Sequence, residues 1–230
     1  MKNLVVIPAR GGSKGIPRKN VKDIGGKPLI AWSIEHAISA KCVDRVVVST
    51  DCPEIAEIAK AYGAEVPFMR PADLANDRAP TEPSLIHALD FLREKDRYHP
   101  DNVVLLQATS PVRACDAIDN AFQEFSNRNA DSLVSVCEMW NFLWKDLDSP
   151  KALYDFQNRP RRQDIEKKDV KFKENGSIYI SKSNGLVREK NRLFGKVAMY
   201  VMSEEESFEI DTELDWVIVE TILKSFSSGV

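Results

Sequence analysis

Short apolar runs alternate along the chain with segments whose apolar residues recur every three or four positions. Residues 4–7 are apolar without interruption, the pattern of a strand covered on both faces. From Pro28, which suits the first helical position, Leu29, Ile30, Trp32, Ile34, Ala37 and Ile38 trace one helical face. Residues 45–51 read as a second strand. Pro53 opens a second helix through Ile55, Ile58, Ala59 and Tyr62, stopped by Gly63, and residues 65–68 read as a third, short strand. This β-α-β-α-β succession predicts a parallel sheet with right-handed crossovers. A polar loop over 69–80 leads to a helix capped by Thr81, with Ser84 in its first turn, running to about residue 95. A core strand over 102–107, a helix over 115–127 and a strand over 132–137 follow. The rhythm then breaks over 138–174, where Trp140, Phe142 and Trp144 alternate as in a strand before Pro, Lys and Arg take over. That stretch is too long for an ordinary loop and predicts an excursion, either an arm to a partner subunit or a lid. Alternation resumes over 176–180 and 196–202, and a helix over 212–226 closes the pattern.

A chain of 230 residues, 43% hydrophobic, suits one α/β domain carrying an insertion. A net charge of –3 argues against a nucleic-acid partner. Cys42, Cys52, Cys115 and Cys137 lack C-x-x-C spacing, so neither a zinc site nor a disulfide framework is predicted. No apolar run approaches the roughly 18 residues of a membrane span, and no signal-peptide core is present. The expectation is a cytoplasmic protein with reduced thiols and no membrane partner.

The charge is unevenly placed. Residues 1–30 hold seven Lys or Arg and one acid, Asp23, a net +6, so residues 31–230 carry –9. Arg10, Lys14, Arg18 and Lys19 surround Gly11, Gly12 and Gly15, directly after the first strand. A cationic glycine-rich loop at that place in an open α/β sheet suits a phosphate-bearing ligand. The loop is neither G-x-G-x-x-G nor a Walker A sequence, and taken alone it reads equally well as a solvated basic turn. At the other end of the chain, alternation through Glu209-Ile210-Asp211 puts two carboxylates on one face and Ile210 inward. Such a pair suits Mg²⁺, although Asp211 is equally placed to cap the final helix.

The string as a whole goes further. Residues 8–20 match every fixed position of P-A-R-x-x-S-K-G-x-x-x-K-N, and the chain thereby resembles the CMP-sugar synthetases that activate nonulosonic acids, the acylneuraminate cytidylyltransferases. The resemblance extends to R-P-A-x-L-A at 70–75, L-L-Q-A-T-S-P-V-R at 105–113 and I-D-T-E-L-D at 210–215. It implies a three-layer α/β nucleotidyltransferase, Rossmann-like, with a mostly parallel sheet. Residues 1–230 form one domain in that reading, with 138–174 as an inserted dimerisation and acceptor-side arm of a homodimer. The implied reaction joins CTP to a nonulosonic acid, with Mg²⁺ assisting attack of the anomeric hydroxyl on the α-phosphorus.

The same resemblance implies residue roles. Arg10, Lys14 and Asp211 are the catalytic candidates. Ala9, Arg10, Gly11, Gly12, Ser13, Lys14, Lys19, Asn20 and Arg70 take the nucleotide, and Glu209 and Asp211 take the metal. Gln107, Lys145, Arg161 and Lys173 take the acceptor, although 159–173 also reads as a solvated cationic arm, and Tyr179 and Phe194 either line the acyl side of that pocket or pack in the core. Ser110 and Arg113 either contribute to that site or fix the turn. Glu209 departs from the family, which has Asp there. Asn20 and Lys14 favour the sialic-acid branch over the octulosonate branch. Two alternatives stay open: a cytidylyltransferase for another 3-deoxy sugar acid, and a non-catalytic sugar-nucleotide-binding subunit.

Overall fold

The computed structural model describes residues 1–228. In chain order it contains β1 (Asn3–Pro8), a ribbon of β2 (Asp23–Ile24) and β3 (Lys27–Pro28), α1 (Leu29–Ser39), β4 (Arg45–Ser49), α2 (Pro53–Ala61), α3 (Glu82–Asp96), β5 (Asn102–Leu106) and α4 (Ala117–Asn127). There follow β6 (Ser132–Met139), a ribbon of β7 (Trp144–Lys145) and β8 (Lys151–Ala152), β9 (Lys171–Lys182), α5 (Ser183–Glu189), β10 (Val197–Met202) and α6 (Glu213–Ser228).

Six strands form the central sheet in the order β10-β6-β9-β5-β1-β4. β1 runs parallel to both β4 and β5, and β10 runs parallel to β6. Only β9 is antiparallel to its neighbours. Its direction follows from its connection. No crossover helix separates β6 from β9, so the chain leaves at Met139, folds back through 140–170, and re-enters beside the strand it left.

β1 shows why three layers form. Val5 and Ile7 pack with Ile30 and Ile34 of α1, Ile55 of α2 and Ile118 of α4, while Leu4 and Val6 face Leu85, Leu89 and Leu92 of α3. All four strand residues are fully buried, which is why the run shows no alternation. A third cluster joins Ile16 of the glycine-rich loop to Ile210, Trp216, Val219 and Leu223, beneath α6. An apolar weld from Ile16 to Ile210 thus holds the basic loop against the acidic segment 194 residues away in sequence, before any ion pair is counted. From β1 the chain crosses to β4 on one side and later returns to β5 on the other. The carboxyl ends of β1 and β5 therefore border a topological switch, the crevice where such sheets bind ligands.

Five elements differ from those the sequence pattern predicts. Residues 65–68 do not form a strand: Glu65 makes a single bridge to Val47, and Pro67 has no N–H with which to extend it. Pro28 precedes α1 and is not its first helical residue. Thr81 supplies no side-chain cap to α3; its backbone is already helical, and Ser84 Oγ donates to its carbonyl at 2.7 Å. Finally, α5 has no counterpart in the predicted pattern, because a seven-residue helix with Gly185 inside it shows no usable periodicity. In the excursion, Trp140, Phe142 and Trp144 build no long strand. Phe142 packs on Tyr154 and Trp144 on Phe156, with ring centroids 4.5 and 5.6 Å apart.

Candidate active site

The basic loop and the acidic segment share one cleft. Its walls include Arg10, Ser13, Lys14, Gly15, Lys19 and Asn20 from one end of the chain, Asp211 from the other, and Arg70 and Gln107 between them. The cavity holds about 400 Å³. Each wall has a structural cause. Gly11 N donates to Asp51 Oδ1 at 3.0 Å, which ties the loop to the end of β4. Lys19, almost fully buried, donates through Nζ to Ile210 O and lies 3.3 Å from Asp211 Oδ1. Gly15 allows the closest approach: a Cβ there would lie 2.2 Å from the carbonyl oxygen of Asp211. Asn20 Nδ2 donates to Arg10 O at 3.0 Å and sets the turn that aims both residues into the cleft.

The capping question about Asp211 has a structural answer. Asp215 Oδ2 accepts from Asp211 N, Thr212 N and Thr212 Oγ1 at 3.1, 2.8 and 2.8 Å, and Thr212 Oγ1 accepts from Asp215 N. Thr212 and Asp215 therefore close the start of α6 between them. The Asp211 carboxylate is left to the cleft, 75% exposed, with Lys19 beside it. Glu209 lies over Gly176: a Cβ there would fall 1.7 Å from Glu209 Oε1 and 2.9 Å from Gln107 Oε1. Gly176 has φ +64°, so neither the space nor the backbone suits a side chain. Burial raises the Glu209 pKa, and the charge of Asp211 raises it further against the pull of Lys173.

A half-buried Glu209 and an exposed Asp211, flanking a fully buried Ile210, offer hard oxygen donors. No group of three or more His, Cys, Asp or Glu that could hold a metal exists among the described residues. That donor set fits Mg²⁺, which takes one or two carboxylates and fills its shell with waters and substrate phosphates.

Arg70 is buried and lines the same cleft. Its Nη2 donates to Ser49 O at 2.8 Å, while Nε has no partner among the described residues. Burial lowers its pKa, opposed by the charge of Asp51. A buried guanidinium with an unspent donor is suited to a polar ligand. Gln107 stands at the end of β5 on the cleft floor. Beneath it, Arg113 donates to Gln107 O, Ser177 O and Ser33 Oγ, each at 3.0 Å. Burial pushes the Arg113 pKa down to about 9, so the group stays charged at neutral pH. Ser110 likewise points inward, toward Asn175 O. Both residues fix the turn and neither lines the cleft. Arg113→Leu should therefore cost about 3 kcal/mol in urea unfolding, because buried acceptors lose a charged donor.

The acceptor-side candidates are divided. Lys173 faces Glu209 closely enough to lower its pKa. Tyr179 is buried, donates to Glu174 Oε1 and carries Arg192 over its ring at 4.7 Å. Lys145 and Arg161 lie exposed on the excursion outside the cleft, and Arg161 pairs with Asp164 at 2.7 Å. Phe194 is not brought to the cleft at all. It packs on Gly185 and lines a hollow with His99, Asp101 and Asn102, at the amino end of β5. The loop after α5 crosses that edge of the sheet, opposite to Gln107. Sequence reasoning missed the third wall, contributed by Leu74, Asn76, Asp77, Ala79, Pro80, Thr81 and Ser84. The available signal was the position of loop 69–80, which connects to α3 at the carboxyl ends of the strands.

The mostly parallel sheet and its crevice, with the cationic glycine-rich loop and Asp211 in its walls, have the fold of the nucleotidyltransferases. Two solved structures share the architecture. A CMP:2-keto-3-deoxy-manno-octonic acid synthetase complexed with CTP matches with a TM-score of 0.73 at 19% identity, over 98% of this chain and 100% of that one. A 4-diphosphocytidyl-2C-methyl-D-erythritol synthase matches with a TM-score of 0.69 at 15% identity, over 97% and 100%. The family model described as "Cytidylyltransferase" matches residues 4–225, and the chain belongs to that family. Among its relatives are a CMP-N,N'-diacetyllegionaminic acid synthase of Legionella pneumophila, 36% identical over 97% of both chains, and a pseudaminic acid cytidylyltransferase of Campylobacter jejuni, 32% identical over 97% of both. An N-acylneuraminate cytidylyltransferase A of Danio rerio is 37% identical over 94% of this chain and 49% of its own length. The resemblance read from residues 8–20 is therefore correct at the level of the family.

Proposed function

We propose that this cytidylyltransferase transfers a cytidylyl group from CTP to a nonulosonic acid, releasing pyrophosphate and the CMP-sugar. The observation that carries the reading is the meeting of Arg10, Lys14 and Asp211 in one cleft. The names of the relatives support the acceptor class, since they activate legionaminic, pseudaminic and N-acylneuraminic acids. Arg10 and Lys14 hold the triphosphate, joined by Ser13 and the backbone N–H of Gly12, the Gly11 N–H being given to Asp51. Lys19 faces leaving-group charge while anchoring the acidic segment. Arg70 and Asn20 address the nucleoside.

Glu209 and Asp211 would hold Mg²⁺, which, when bound, neutralises phosphate charge and acidifies the attacking hydroxyl. Gln107, Tyr179 and Lys173 serve the acceptor, with Lys173 matched to its carboxylate. We place Lys145 and Arg161 at the acceptor side of a homodimer. The support is the arm itself, whose Trp144, Leu147 and Phe156 are 51, 98 and 57% exposed and want a covering surface. Among the described residues no helix is long and apolar enough to cross a membrane.

The test is incubation with CTP, Mg²⁺ and a panel of nonulosonic and octulosonic acids, following pyrophosphate and CMP-sugar together. Turnover with at least one nonulosonic acid, abolished by EDTA and restored by Mg²⁺, is expected. Preference for an octulosonate would move the chain to that branch. CTP binding without product from any acid would make it a non-catalytic binding subunit.

A further inference from the structure

Both cations assigned to the triphosphate are already engaged within the chain. Arg10 Nη1 lies 2.9 Å from Asp77 Oδ1, and Lys14 Nζ lies 2.7 Å from Asp77 Oδ2. One carboxylate thus spans the two, much as two oxygens on one phosphorus would. Asp77 itself lines the cleft, within the loop that precedes α3. The bonds that shape this loop do not use its side chain. Asn76 Nδ2 donates to Asp73 O, Asn76 Oδ1 accepts from Arg78 N, and Asn76 O accepts from Ala79 N. Among the described residues, the Asp77 carboxylate pairs with Arg10 and Lys14 alone.

We propose that Asp77 is an internal competitor for the phosphate site. It occupies Arg10 and Lys14 in the free enzyme, yields them to an entering polyphosphate, and returns as pyrophosphate leaves. The inference rests on the assignment of Arg10 and Lys14 to the triphosphate and deepens it by naming the group that sets affinity there. The exposures suit an exchangeable contact. Asp77 is 41% exposed, Arg10 33% and Lys14 75%, so each pair is screened and weak, and a more highly charged polyphosphate displaces it. Lys14, through its hydrogen bond and charge, and Arg10 keep the Asp77 pKa below the ordinary carboxylate value. The competitor therefore stays charged throughout the neutral range. Its net effect is to weaken ground-state polyphosphate binding and to prevent the product from holding the site.

Calorimetric titration of inorganic pyrophosphate, without metal ion, into the wild-type chain, Asp77→Asn and Asp73→Asn tests this. Asp77→Asn should bind pyrophosphate about 3–10-fold more tightly, the release of two weak pairs. Asp73→Asn removes the same charge from the same loop without touching Arg10 or Lys14, and should change little. In turnover, pyrophosphate should inhibit Asp77→Asn at correspondingly lower concentration. Thermal unfolding checks that the variants fold, and Asp77→Ser gives the same readout if the new amide finds partners of its own. Unchanged or weaker pyrophosphate binding by Asp77→Asn overturns the proposal, as does an equal gain in Asp73→Asn. A wild-type chain that binds neither pyrophosphate nor CTP overturns the functional reading itself, which separates the two failures.

Discussion

Asp211→Ala should reduce turnover by at least about 10³-fold while leaving thermal unfolding nearly unchanged. The two halves of this expectation have different origins. The carboxylate is 75% exposed and its cap duty is carried by Asp215, so removing it breaks little that holds the fold. Its one close partner, Lys19, keeps its bond to Ile210 O and does not become an orphaned buried charge. In the proposed mechanism Asp211 is the acid that shares the cleft with Arg10 and Lys14, and the other carboxylate lining that cleft, Asp77, is paired with those two cations. Steady-state pyrophosphate release paired with a melting curve checks both halves. Loss of activity accompanied by a large fall in melting temperature would assign Asp211 a structural role. Near-wild-type turnover would remove it from the mechanism.

Much of this arrangement was legible from residue order. The apolar run at 4–7 lies buried on both faces of a central strand, and a glycine-rich cationic segment after such a strand has few places to go. Alternation through Glu209-Ile210-Asp211 correctly sent Ile210 inward. What stayed hidden depends on contacts that local pattern does not encode. β9 is as apolar at Ile178 and Ile180 as any parallel strand, and only its route back from the excursion makes it antiparallel. Glu65 carries a strand-like neighbourhood but lies where Pro67 ends the pairing. Phe194 was named for the acceptor pocket, yet Gly185 receives it at the opposite end of the sheet. Asp77 was one acid in a polar loop. It gained meaning only when folding placed it between Arg10 and Lys14. Motif-bearing residues were therefore readable, and the loop that closes over them was not.

Gly15→Ala should be the most disruptive single methyl in the cleft. The glycine has no unusual φ to preserve, so the argument is one of space alone. Its added Cβ would lie 2.2 Å from Asp211 O and 3.4 Å from Asp211 C, and a backbone carbonyl cannot swing aside as a side chain can. The loop and the acidic segment must separate by roughly 1 Å, against the packing of Ile16 on Ile210 and the bond from Lys19 to Ile210 O. Overpacking of this kind costs about 1–3 kcal/mol. Displacement by such a distance lowers turnover by about 10²-fold even when every functional side chain is present. Gly12→Ala is the matched control for stability, since a Cβ there meets nothing within 4 Å. Unfolding free energies should fall for Gly15→Ala and hold for Gly12→Ala. A Gly15→Ala protein with unaltered stability and turnover would show that loop and acidic segment need not touch, and would dissolve the geometric basis for placing cations and metal ligands in a single site.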